Sequence, residues 1–143
     1  MSQTGWTDKR PMSPFVSVWR WHVTMLVSIL HRATGCALYA GAIVVAGWLF
    51  AIVSGPDYYA GFEMLAASIP GQIILFLFVL SFLFHALNGI RHLVWDVGKG
   101  FDPKFASFTA WGVIGLSVVL AILVWWAADL FPGLPGLVDG AYP

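Results

Sequence analysis

The chain has 143 residues, 59% of them apolar and only 10% charged, where an ordinary soluble domain carries ~25% charge. A soluble domain of this size could not hide so much apolar surface, so the composition specifies an integral membrane protein. Formal net charge is zero and there is one cysteine, Cys36, so no nucleic-acid partner is expected and neither an internal disulfide nor a thiolate metal cluster can form.

The amino-terminal segment, residues 1–27, opens with "MSQTGWTDKRPMSP". No apolar core follows its basic pair at signal-peptide distance, and Asp8 together with the scarcity of arginine argues against a transit peptide. A bacterial inner-membrane protein, inserted as it stands, is the expectation. Three apolar runs follow, at about 28–53, 72–94 and 106–130, each near the ~20 residues that a bilayer core demands. The first two are joined by "SGPDYYAGFEMLAASIPG", with turn signals at Gly55-Pro56 and Pro70-Gly71. "WDVGKGFDPKF" joins the second run to the third, and residues 131–143 form a tail. None of the runs alternates with period two, so helices are expected. The predicted fold class is an all-α membrane protein, a single integral domain of three transmembrane helices.

Charge placement predicts the direction of insertion. Lys9, Arg10, Arg20 and Arg32 precede or begin the first run, while Arg91, Lys99 and Lys104 flank the second connection. The first connection and the tail carry no Lys or Arg, only Asp57, Glu63, Asp129 and Asp139. The positive-inside rule then sets the N-terminus in the cytoplasm and the C-terminus in the periplasm. Trp48, Tyr58, Tyr59, Trp125 and Trp126 would form an outer aromatic belt, and Trp19, Trp21 and Trp95 an inner one.

At the entrance to the first run, Trp21, Met25, Ser28, Ile29 and Arg32 fall on one face of a continuous helix. An aromatic ring, apolar side chains, a hydroxyl and a permanent charge suit a flat ligand with carbonyl oxygens, such as a quinone head group. The alternative is that Arg32 snorkels to anionic headgroups while Ser28 packs against a neighbouring helix.

In the second run, "SFLFHALNGIRHLVWD" places His85 roughly 13–14 Å inside the membrane. His85, His92 and Asp96 lie within about 20° of one line, and Gly89 leaves the backbone open beside His85. His85 reads either as a buried histidine hydrogen-bonded across a helix interface or as an axial haem ligand. No second ring is expected at its depth: His22 precedes the first run, and His31 and His92 are placed near the cytoplasmic rim. A second haem ligand would therefore come from another subunit. His31 and His92 could hydrogen-bond haem propionates or simply be solvated. Arg91, about 100° from His92 on the helix, is expected to face lipid headgroups or a soluble partner.

Together these residues resemble the cytochrome b membrane-anchor subunit of succinate dehydrogenase, respiratory complex II. Arg10-Pro11 followed by Ser28, His31, Arg32 and Thr34 is similar to one signature of that family. His85, Gly89, Ile90, Arg91, His92 and Asp96 are similar to its His-x-x-x-Gly-Ile-Arg-His segment and following Asp. The resemblance implies a bundle formed with a second small anchor subunit, which holds an iron–sulfur subunit and a flavoprotein subunit on the cytoplasmic face. It implies haem b shared between the anchors, with His85 as one axial ligand, His31 in the propionate region and His92 a weaker candidate there. It further implies that Ser28 and Arg32 contact ubiquinone and that Trp21, Met25 and Ile29 line the pocket. The competing expectation is a haem-free structural anchor of a related quinone oxidoreductase such as fumarate reductase. A small proton-conducting subunit would need several deep ionisable residues, and His85 is the single one expected at that depth.

Overall fold

A computed structural model of the chain describes residues 19–130, with side chains described to Ala127. Lys9, Arg10-Pro11, Asp139 and the rest of the tail lie outside the described residues. Four helices follow one another: α1 (Val23–Ser54), α2 (Pro56–Ala67), α3 (Ile69–Asp96) and α4 (Pro103–Leu130). No strand occurs among the described residues. Helices α1, α3 and α4 are each long and apolar enough to cross a membrane, which makes this an all-α, multi-pass membrane protein.

The helices exceed the expected apolar runs mainly at their ends. Helix α1 starts at Val23 rather than near Ser28, so Arg32 lies within its third turn. The stretch expected as an open connection holds α2. Gly55 separates α1 from α2 with φ of 115°, a conformation open mainly to glycine, and Pro56 opens α2. The expected turn at Pro70-Gly71 is instead the first turn of α3. Proline is tolerated there because its missing N–H would have no helical partner. Ser68 caps that end, its Oγ accepting from Gly71 N at 3.2 Å.

The second connection is held by its own residues. Gly98 and Gly100 have φ of 77° and 81°, and Lys99 N bonds back to Val94 O at 3.2 Å. Asp102 Oδ1 accepts from Phe105 N at 2.9 Å, capping α4 just before Pro103. Trp95 Nε1 donates to Gly100 O at 3.1 Å, and the Trp95 ring stacks on Phe101.

The core sits where α1, α3 and α4 meet. Val27, Phe84, Ala110 and Val113 form it, with Val23, Leu87 and Ile114 packed against them. On α4 the buried residues Ala110, Val113, Ser117 and Ala121 recur at helical spacing and are mostly small, the pattern by which helix backbones approach closely in lipid. At Gly41 of α1, an added Cβ would collide with the Phe78 ring of α3. Most other apolar side chains face outward, Val53 at 86% and Phe50 at 70% exposure. Such a surface would aggregate in water, whereas in a bilayer it meets its proper solvent.

Arg91 departs from expectation. Instead of facing headgroups or a soluble partner, it is buried between α3 and α4. Its Nε donates to Thr109 Oγ1 at 3.0 Å, its Nη1 to Asn88 Oδ1 at 3.3 Å and its Nη2 to Ala106 O at 2.9 Å. The guanidinium also lies 4.1 Å from the centre of the Trp95 ring, a cation–π distance. The reason is helical phase: Phe84, Asn88, Arg91 and Trp95 recur every three to four residues and point together at α4. The three acceptors are placed so that the planar guanidinium reaches all of them at once.

Replacing Arg91 tests this clamp. Arg91→Met removes a buried charge but strips the fully buried Asn88 amide of its one partner, and an unsatisfied buried amide costs ~1–3 kcal/mol. Thermal unfolding of the detergent-solubilised protein should show a lower midpoint for Arg91→Met, with Arg91→Lys in between. An unchanged midpoint for Arg91→Met would refute the clamp.

Candidate functional site

The contact between α1 and α3 gathers three histidines. The His31 and His85 rings stack at 3.9 Å between centroids with planes 13° apart. His92 lies 5.2 Å from His31 and packs edge-on against Trp95 at 5.1 Å. His31 therefore stacks directly on His85 while also lying near His92, closer to His85 than its position along the span suggests. The two rings meet face to face, so His31 covers one face of the His85 imidazole. Among the described residues no group of three or more His, Cys, Asp or Glu side chains is arranged to hold a metal ion.

The hydrogen bonds around His85 define its tautomer. His85 Nδ1 lies 3.1 Å from His31 O and 3.3 Å from Thr34 Oγ1. A carbonyl can only accept. The Thr34 hydroxyl has a single proton, and that proton is directed at its own helix, with Leu30 O at 2.8 Å and His31 O at 3.0 Å. Thr34 Oγ1 therefore accepts from His85 as well. Nδ1 thus carries a proton, and in the neutral ring this tautomer leaves the Nε2 lone pair for a ligand. This is the arrangement by which metal-binding histidines are usually oriented.

Space around the ring is set by two glycines. A Cβ on Gly35 would stand 3.1 Å from His85 Cε1, so the imidazole lies directly against the α1 backbone. A Cβ on Gly89, one turn beyond His85, would meet nothing within 4 Å, leaving that face open to a flat group. His85 itself is half-buried. His31 Nδ1 and Asn88 Nδ2 are buried without a hydrogen-bond partner among the described residues.

The second cluster lies on the outer side of α1. Thr24, Met25, Ser28, Ile29 and Arg32 line a shallow cleft of about 310 Å³. Ser28, Ile29 and Arg32 are exposed, and Arg32 Nε bonds to Ser28 O at 3.4 Å. Trp21 does not share this wall. It precedes the start of α1, so helical phase does not place it; it lines a neighbouring cleft of about 410 Å³ with His22, Val23, Leu26 and Trp111 of α4. Trp21 stays within reach of Trp19, their ring centres 5.0 Å apart.

Two residues were invisible to site reasoning from sequence. Thr34 figured only as the last position of a signature, and Gly35 not at all. Their signal is their spacing from His31, three and four residues on, which puts them on the same face of α1.

Fold and site together define a small polytopic membrane protein with a histidine cluster between α1 and α3 and an exposed Ser28–Arg32 cleft on α1. Residues 7–124 match the family model described as succinate dehydrogenase/fumarate reductase transmembrane subunit. The chain is 38% identical over 118 residues to the succinate dehydrogenase cytochrome b556 subunit of Rickettsia prowazekii, covering 82% of this chain and 92% of that protein. It is 38% identical over 114 residues to the cytochrome b556 subunit of Paracoccus denitrificans, covering 80% and 88%. Against the mitochondrial cytochrome b560 subunit of Sus scrofa the identity is 33% over 120 residues, covering 81% and 68%. The chain belongs to the succinate dehydrogenase/fumarate reductase transmembrane subunit family, and its role is that of a membrane anchor in such a complex.

Proposed function

We propose that this chain binds haem b through His85 and forms part of the site at which electrons from succinate reach a quinone. The observation that carries the reading is the His85 imidazole, with Nδ1 tied to α1 and Nε2 free. A neutral imidazole nitrogen at membrane depth, beside the open backbone of Gly89, is the donor chemistry that haem iron takes. The cytochrome b names of its relatives support the same group. When bound, haem supplies one-electron redox chemistry within the bilayer.

The chain's own residues would divide the work. His85 would hold the metal, and a second small anchor subunit would supply the other ligand; His31, stacked on His85, is not proposed for that role. His31, stacked on His85, and more weakly His92, which lies near His31, would form the region proposed for the propionates. Ser28 would donate a hydrogen bond to a quinone carbonyl. Arg32 would donate another and stabilise the negative charge that develops as the ring is reduced. Met25 and Ile29 would pack on the ring, with Trp21 closing the pocket from its neighbouring cleft.

The antiparallel helices collect Arg20, Arg32, Arg91, Lys99 and Lys104 at one end and leave Asp57 and Glu63 at the other. This supports a cytoplasmic N-terminus and a periplasmic C-terminus in a bacterial inner membrane. The iron–sulfur and flavoprotein subunits would then dock at the basic end, next to Ser28 and Arg32.

Two substitutions in the assembled complex test the two halves. His85→Ala should abolish or grossly alter the reduced α-band of haem b, and a normal spectrum would exclude His85 as a ligand. Arg32→Ala should lower quinone reduction by roughly 100-fold, the scale for losing a donor to a developing oxyanion. Succinate oxidation by a soluble artificial acceptor should continue in that variant. Equal loss of both activities would assign Arg32 to assembly instead.

A further inference from the structure

We infer that Thr34 is a positioning residue for His85, and that its hydroxyl sets the electron-donating strength of the His85 Nε2 lone pair. The inference rests on the proposed role of His85 as haem ligand and adds a residue one helix away from it.

The hydroxyl is held in an unusual state for a threonine inside a transmembrane helix. Threonines there commonly bond back to their own helix and stop at that. Thr34 does so, to Leu30 O at 2.8 Å and His31 O at 3.0 Å. Because its one proton is committed there, the lone pairs of Oγ1 face outward as acceptors, and His85 Nδ1 lies 3.3 Å away. The His31 carbonyl accepts from the same N–H at 3.1 Å. The Nδ1 proton is thus shared between two acceptors of α1, neither able to donate in return. Each acceptor draws the proton outward and makes the opposite nitrogen a stronger donor.

Gly35 completes the geometry. With a Cβ there only 3.1 Å from His85 Cε1, the ring could not lie flat against α1 and reach both acceptors without shifting by a few tenths of an ångström. The stacked His31 ring, 3.9 Å away, closes one face. Nδ1, Cε1 and one face of the imidazole are all determined by little more than one turn of α1, from His31 to Gly35, leaving Nε2 as the free vertex.

A stronger donor favours the oxidised, more positively charged metal. Thr34→Val keeps the shape of the side chain and removes the acceptor. In the assembled complex it should retain haem and shift the haem midpoint potential in the positive direction, with a displaced α-band. Thr34→Ser restores the hydroxyl and should return both to the wild-type values. Gly35→Ala should perturb the α-band while the Thr34 hydroxyl is intact. A potential and spectrum in Thr34→Val identical to wild type would overturn the inference, as would Thr34→Ser behaving like Thr34→Val. If Thr34→Val does not assemble, Thr34→Ala against Thr34→Ser decides by the same criterion. Failure of both hydroxyl-free variants to assemble gives the hydroxyl a purely structural part and also overturns it. His85→Ala measured alongside separates the two layers. If its spectrum is normal, the ligand role fails; if its haem signal is lost while Thr34→Val is unchanged, only the positioning role fails.

Discussion

A polar nitrogen buried between helices in lipid has no water to turn to, and His85 meets that constraint by bonding to the backbone of α1. The bond from Nδ1 to His31 O requires close approach of two helices, and close approach requires small residues where they touch. Gly35 lies against the imidazole and Gly41 against Phe78. In a bilayer there is little hydrophobic drive between helices, since lipid tails are as apolar as leucine. Packing of this kind and interhelical hydrogen bonds are what remain. At the α1–α3 contact the two are one geometry.

Helix α3 carries a second polar contact on its other side. Arg91 is bound to Thr109, Ala106 and Asn88 and covered by Trp95. The Trp95 indole also fastens the connection to α4 through Gly100. Helix α3 is thereby held on two flanks, by an imidazole to α1 and a guanidinium to α4, with the apolar core of Val27, Phe84, Ala110 and Val113 between them. The stretch from His85 to Arg91 is thereby fastened near both ends, which suits a segment that must present a side chain in one orientation.

Much of this was legible from the residues alone. Length, hydropathy and the absence of period-two alternation specify three spanning helices, and the deep His85 stands out because an ionisable group in a span is uncommon. What escaped was the second layer. Composition marks Gly55-Pro56 and Pro70-Gly71 alike as turns, yet the first breaks the chain and the second starts a helix, because proline is compatible with a first turn. Arg91 looked like a surface cation since charge suggests water; whether α4 offers three acceptors at that height depends on how the helices cross, which no single helix encodes. The stacking of His31 on His85 was missed for a similar reason. Depth counted along each span separately carries an error of a helical turn at each end, and that error was enough to separate two rings that touch.

The inward polar groups of this chain largely find partners within it, whereas Ser28 and Arg32 lie exposed on α1, in a cleft walled by α1 alone. A guanidinium and a hydroxyl on the outer face of a spanning helix are costly against lipid tails and tolerable near headgroups or under a polar neighbour. Arg32 lies within the third turn of α1, one position from the histidine stacked on His85. A family defined as subunits of a larger assembly has such a neighbour available. On the proposed reading this half-open cleft is what allows a quinone to enter from the bilayer and still meet two hydrogen-bond donors. A cleft completed within one chain would hold the donors as well but would leave the ring no apolar route in. The same logic applies to His85. With its Nδ1 side closed by α1, the ring can be orientated by this chain alone, and on the proposed reading a second chain would complete the site.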